Sequence, residues 1–269
     1  MAQQVAMIRS FLSRVRFGLA VVLLAATTGL GACASQEPGE PWDPLEVPNR
    51  FMFAINRTID MLIVRPVAVT YKFWVPEPIQ RGVSNVVQNL GEPVTAINEV
   101  AQGEPSRAAQ TIARFLVNTT IGILGIFDVA KELGMPPTKE DFGQTIGVWA
   151  KAPPEDGGPY LVLPLLGPSN ARDAVGLLVD YVIDPFRILT WQLDVEYLMY
   201  ARTGVTVVDA RSRTLQALDD IEKNSLDYYS ALRSAYTQKR AADIRQKGAP
   251  QSASIALVAS GRPELGFAR

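Results

Sequence analysis

Chemistry needs a nucleophile, a base or a ligand set, and this 269-residue chain is sparing with all three. It has no histidine, which removes Ser-His and Cys-His catalysis and most zinc sites together. Ser169, in Gly167-Pro168-Ser169-Asn170, therefore lacks a histidine base, and its surroundings are not those of a Gly-x-Ser-x-Gly elbow. Ser169 or Asn170 instead suits the cap of a helix, with Asp173 in the first turn where a carboxylate complements the dipole. Arg172-Asp173 could form a buried pair or hold a polar head group; a surface or capping pair is the favoured reading, since exposed pairs are common and weak. Gly122 to Gly125 and Gly143 to Gly147 lack the Gly-Lys-Ser/Thr ending of a phosphate loop. Asp219, Asp220 and Glu222 read as a solvated helix face, and no carboxylates elsewhere have metal-ligand spacing. Nothing here implies an enzyme, a metal or a cofactor. One thiol remains, Cys33, so no intrachain disulfide can form.

The position of that thiol is informative. Arg9, Arg14 and Arg16 make a positive start, Phe17 to Leu30 an apolar run, and Leu30-Gly31-Ala32 small residues before Cys33. The arrangement resembles a bacterial lipobox, in which a signal peptide (1–32) is removed and the cysteine is acylated. The alternative is an uncleaved anchor with an incidental cysteine. Acyl chains at one end give stable membrane attachment, at about 0.8 kcal/mol per buried CH₂. Ala34, rather than an aspartate, follows the cysteine, and points to the outer membrane. Residues 33–42 read as a polar, Pro-rich tether and 247–269 as a disordered tail of Ala, Ser, Gly and Pro.

The elements that must position anything functional lie between 43 and 246. Residues 157 to 185 hold the central feature, without a charge from Gly157 to Ala171 and punctuated by Gly-Pro pairs. A bilayer span needs roughly 20 unbroken apolar residues, so this stretch reads as a short apolar hairpin followed by a helix, buried in a core or in one leaflet. Upstream, Met52, Ile55, Ile59 and Leu62 share one helical face, with Asn49, Asn56 and Asp60 on another. Arg65-Pro66 predicts a kink, and Gly91-Glu92-Pro93 a stop after an amphipathic helix over 79–90. A short helix is expected over 93–102, and then one from Pro105 that buries Ala109, Ile112, Phe115 and Leu116. Asp141 to Gly147 reads as a loop or hairpin, since its glycines, four apart, weaken a helix. Trp191, Tyr197 and Tyr200 suit a membrane interface and a core equally. Val205 to Arg245 predicts a charged helical hairpin, with no strand-rich region anywhere, so the class is all-α.

The formal charge of −1 hides the basic leader: cleavage before Cys33 removes three of 26 basic residues and no acid, leaving about −4. A mildly acidic chain has no electrostatic case for nucleic acid or for adhering to anionic lipid.

In order, these residues resemble the MlaA/VacJ family of outer-membrane phospholipid-binding lipoproteins. The match takes in Asp43-Pro44-Leu45-Glu46, Asn49-Arg50, Asn56, Asp60, Arg65 to Ala68 and Tyr71. It continues with Asn89-Leu90, Glu92-Pro93, Asn98, Gln102-Gly103, Arg114-Phe115, Asn118-Thr119, Gly122, Gly125 and Asp128. It closes on Asp141 to Gly147, Gly158 to Ser169, Arg172-Asp173 and Asp227 to Arg240. The resemblance implies an all-α ring of short amphipathic interfacial helices around a central channel, in the inner leaflet of the outer membrane. It implies that glycerophospholipid leaves the outer leaflet through the channel and passes to a soluble periplasmic carrier, beside a trimeric porin. The segment from Asp141 to Pro164 would be a flexible hairpin next to the channel, with Phe142, Gly143, Ile146, Gly147, Tyr160, Leu163 and Pro164 as channel or gate and Cys33 as acyl site. Competing readings are a structural lipoprotein that scaffolds porins and an envelope lipase, which would need a nucleophile–base pair that is not found.

Overall fold

The computed structural model describes residues 43–245 apart from 152 and 155, so the expected signal peptide, the acyl site Cys33, the tether and the tail lie outside the described residues. The chain opens with a rod. Helix α1 (Glu46–Ile59) passes through a π-helical segment, Asp60–Val64, into α2 (Arg65–Trp74). Pro66 therefore does not break the helix. The wider π turn, closed by Arg65 N–H on Asp60 O, takes up the misfit just ahead of it. Helix α3 (Glu77–Ala101) likewise runs straight through Pro93 where a stop was expected. Asn89, Glu92, Thr95, Ala96, Asn98 and Glu99 are buried on both sides of the proline. That continuous packed face outweighs the one rung Pro93 forfeits.

Helix α4 (Pro105–Thr120) packs along α3, and α5 (Val129–Glu132) is a single turn capped by Asp128. Asp141 to Gly147, expected as a loop or hairpin, instead opens helix α6 (Phe142–Ala150), capped by Asp141, whose side chain accepts from Gln144 N–H. Such a cap contributes about 1 kcal/mol. The apolar hairpin is present: β1 (Tyr160–Leu163) pairs antiparallel with β2 (Gly167–Asn170), Tyr160 opposite Asn170. It is the sole sheet among the described residues. Asn170, not Ser169, then caps α7 (Ala171–Ile183). Asp184 caps α8 (Pro185–Gln192). The two charged C-terminal helices follow, α9 (Tyr197–Asn224) and α10 (Tyr228–Arg245). They part after their turn: α9 lies along α2, while α10 packs on α6 and β2. The class is all-α, and no described helix is long and apolar enough to cross a membrane.

Burial is inverted. Among the described residues, 21 polar or charged side chains are buried against ten apolar ones, five of them alanine. Among the described residues the largest fully buried side chains are Arg114, Arg233 and Glu99, types almost never fully buried unless paired, as all three are here. Large apolar residues point outward instead. Phe51, Leu62, Phe73, Trp74 and Tyr200 are each 68–76% exposed. The stripe of α4 expected inside faces out at Ile112 and Leu116, and Thr111, Arg114 and Asn118 of that helix face in. Trp191, Tyr197 and Tyr200 are exposed as well, which decides against a core for them. Full burial of one such side chain is worth about 1.5–3 kcal/mol. An exterior of this kind is stable only where something other than water covers it.

Candidate functional site

The interior is a set of joined polar clusters, and each is built by elements far apart in sequence. Between α3 and α4, Arg114 Nε donates to Glu92 (3.0 Å) and Nη2 to Asp128 (3.1 Å), and Nη1 also bonds Met135 O. Two turns away, Arg107 bridges Glu99 (3.2 Å) and Glu140 (2.7 Å), and Thr111 and Thr138 donate to Glu99. Burial pushes the Glu92 carboxyl up to about 7 against the pull of Arg114, and its Oε2 has no partner among the described residues.

The second cluster centres on Arg240. Its guanidinium grips Asp141 with both Nη atoms (2.8 and 2.9 Å) and Asp173 through Nε (2.8 Å) and Nη2 (2.9 Å). Tyr236 donates to Asp173 Oδ2 (2.5 Å), and Arg172 Nε to Asp173 Oδ1 (3.0 Å). Arg172-Asp173 is thus a buried pair, not the surface or capping pair favoured from the sequence, because α10 brings a second arginine onto the same carboxylate. Burial alone would raise the Asp141 and Asp173 pKa values; the hydrogen bonds from Arg240 reverse this and hold both below the usual carboxylate range.

The third cluster ties the N-terminal end to the hairpin. Asp43 accepts from Arg233 (3.0 Å), Asn49 (3.0 Å) and Tyr229. The Asn49 amide then acts as a strand edge for β1: its Oδ1 accepts from Val162 N–H and its Nδ2 donates to Tyr160 O, each at 2.9 Å. Asn56, two turns on, does the same for Leu163 O and Leu165 N–H, each at 2.8 Å. Asp60, next on that face, takes a bidentate bond from Arg211 of α9.

The expected channel and gate residues divide between two places. Phe142 donates its N–H to Asp180 and meets Trp149 edge-on at 5.5 Å. Gly143 and Gly147 are buried in α6, and Ile146 is half-buried there. A Cβ on Gly143 would lie 2.6 Å from Asp173 Oδ1, and one on Gly147 3.0 Å from Ile244 Cδ1. The glycines therefore admit close packing by α7 and α10, where mobility was expected of them. Tyr160 is buried between Tyr229 and Tyr236, while Leu163 and the exposed Pro164 lie at the hairpin tip on Asn56. Sequence reasoning missed Asp141 and Arg240 as a hub and Arg233 as the partner of Asp43; Asn49, Asn56 and Asp60 did announce themselves by sharing a helical face.

Among the described residues the interior is thus polar and much of the exterior apolar. The MlaA lipoprotein family model matches residues 41–243. The chain belongs to the MlaA lipoprotein family. It is 34% identical over 226 residues to the intermembrane phospholipid transport system lipoprotein MlaA of Escherichia coli, covering 81% of this chain and 85% of that one. The MlaA of Haemophilus influenzae is 33% identical over 224 residues, covering 80% and 86%. An uncharacterised protein of Rickettsia felis is 37% identical over 208 residues, covering 77% and 79%. A solved chain from work on the structural basis for maintenance of bacterial outer membrane lipid asymmetry superposes with a TM-score of 0.64 at 33% identity, covering 76% of this chain and all of that one. The MlaA fold is thus helical here as there, with the small hairpin as its one sheet among the described residues.

Proposed function

We propose that this protein takes mislocalised glycerophospholipid from the outer leaflet of the outer membrane and passes it to a soluble periplasmic carrier, maintaining lipid asymmetry without breaking a bond. The observation that carries the reading is the inverted burial. Acyl chains cover the apolar rim of Phe51, Leu62, Phe73, Trp74 and their neighbours, and the helices form a ring around a polar path for the head group. Such a ring would sit in the inner leaflet, held from the periplasmic side by acyl chains on Cys33 and beside a porin trimer. Exchange runs down an affinity gradient, so the protein needs no cofactor. Phe142, Gly143, Ile146, Gly147, Tyr160, Leu163 and Pro164 belong to the channel wall in this reading. The buried glycines would make part of that wall rigid, leaving the exposed tip at Pro164 to Leu166 as its movable part.

Outer-leaflet phospholipid measured in cells with and without the gene tests the proposal. Deletion should raise surface phospholipid, and complementation should restore it. Unchanged surface lipid would end the transport reading in favour of a scaffold for porins, for which no phospholipid should copurify with the protein. Bulk at Gly143 or Gly147 does not separate the two, because both glycines are consumed by packing.

A further inference from the structure

A cavity of about 130 Å³ lies where Pro154, residues 156–158, β1 and the start of α7 meet α10, lined among others by Tyr160, Arg172, Arg233, Tyr236, Arg240 and Asp156. Two donors, on side chains that are themselves more than nine-tenths buried, have no protein partner among the described residues. Tyr160 is 5% exposed, and its hydroxyl makes no hydrogen bond. Arg172 is 9% exposed; Nε is taken by Asp173 and Nη1 by the carbonyls of Pro154 and Asp156, at 3.5 and 3.3 Å, which leaves Nη2 without an acceptor. Their neighbours differ. Arg240 has all three nitrogens on carboxylates, and Tyr236 donates to Asp173. Both donors belong to residues that line the same open cavity, where the oxygens of an anion can complete their hydrogen bonding.

Surrounding charge narrows the kind of anion. Arg172, Arg233 and Arg240 are balanced by Asp173, Asp43 and Asp141. Asp156, exposed on the cavity wall, is the carboxylate left over; it accepts only the Gly158 N–H through Oδ1. Among the described residues Asp156 is thus the one carboxylate lining the cavity, and it has no cationic partner there, so a ligand that brings an ammonium group along with its phosphoryl oxygens meets both. We propose that this cavity is a head-group subsite for a zwitterionic phosphodiester of the phosphoethanolamine class, its phosphoryl oxygens on Arg172 Nη2 and Tyr160 Oη and its ammonium beside the Asp156 carboxylate. The inference rests on the lipid-transport reading and adds a head-group preference to it.

The test uses the full-length acylated protein in detergent, titrated calorimetrically with glycerophosphoethanolamine, glycerophosphoglycerol and inorganic phosphate. Glycerophosphoethanolamine should bind most tightly. Tyr160→Phe keeps the ring between Tyr229 and Tyr236 and removes only the hydroxyl, so it should weaken that binding about tenfold, the loss of one charge-assisted hydrogen bond, with Tm unchanged. Asp156→Asn should remove the preference over glycerophosphoglycerol. No binding to the wild-type protein, no effect of either substitution, or inorganic phosphate binding as tightly as the diester would each overturn the proposal, the last marking a free-phosphate site. If it falls while gene deletion still raises surface phospholipid, the transport reading stands without this subsite; intact binding with unchanged surface lipid has the opposite meaning.

Discussion

Gly143 of α6 and Gly176 of α7 touch backbone to backbone: a Cβ on Gly176 would lie 2.2 Å from Gly143 N and 2.6 Å from its Cα. No side-chain rotation can relieve such a clash, so the helices themselves would have to separate. Gly176→Ala should lower stability by more than the ~1–3 kcal/mol typical of an added core methylene, read as a drop in Tm. Because α6 carries Asp141 and α7 carries Asp173, separation also pulls the Arg240 bridge apart. Gly91, where nothing lies within 4 Å of an added Cβ, is the control, and Gly91→Ala should hold or raise Tm.

The Asn49 amide replaces a missing strand beside β1. Asn49→Leu would leave Val162 N–H and Tyr160 O buried without partners, at about 1–3 kcal/mol each. Asn49→Asp should also fail, since a carboxylate accepts from Val162 but cannot donate to Tyr160 O. Hydrogen exchange at the Val162 amide separates the cases: protection should fall sharply in Asn49→Leu, fall less in Asn49→Asp, which keeps that acceptor and loses Tm instead, and stay in Asn56→Ala, which frees only the hairpin tip at Leu163 and Leu165.

Much of this architecture is legible in the sequence, with one sign reversed. Helical periodicity marks the stripe of Ile112, Phe115 and Leu116 but does not say what lies against it; the solvent on that side is decided outside the chain. The helix over 142–150 was hidden because its glycines lower propensity, and the gain that offsets them comes from α7 and α10 packed on those same glycines. Pro93 and Pro66 misled for a related reason, since tertiary contacts along α3 and the π turn at Asp60 absorb what proline removes locally. Arg240 could not be assigned at all. Its partners lie 67 and 99 residues away, and only the fold brings them together.

Acidic groups in the two ion-pair clusters should titrate with opposite effects. Glu92 has its carboxyl raised from 4.5 to about 7 by burial, so the folded state holds a proton that the unfolded chain has released between those values. Its contribution therefore favours folding at low pH and is lost as pH rises from about 4.5 through 7. Asp141 and Asp173 are depressed, so theirs is present above the ordinary carboxylate pKa and is lost as pH falls below it. Denaturant midpoints measured from pH 3 to 8 should fall at both ends. In Glu92→Gln the decline between about 5 and 7 should disappear while the acid limb remains. A wild-type midpoint that rises steadily through that interval would contradict the assignment to Glu92.

The turn between α4 and α5 should anchor the protein in lipid at the expense of its own backbone. Ile123 and Leu124 both take left-handed conformations (φ 53 and 56), which cost about 1–3 kcal/mol each in residues with a Cβ. Both are also more than half exposed, together with Ile121 and Phe127. The N–H groups of Ile121, Gly122 and Leu124 to Phe127 bond to carbonyls of the same segment, at 2.8 to 3.2 Å, which leaves little of this irregular backbone for water to satisfy. Leu124→Asn accepts the left-handed conformation more readily and deletes one apolar contact. Its Tm in detergent should therefore hold or rise. Partition of a non-acylated Cys33→Ser form into phospholipid vesicles should meanwhile fall by roughly ten- to a hundredfold, for the ~1.5–3 kcal/mol of one leucine withdrawn from acyl chains. Water covering this turn in the working protein would give the same rise in Tm with no change in vesicle binding, so co-flotation of the two forms separates the cases.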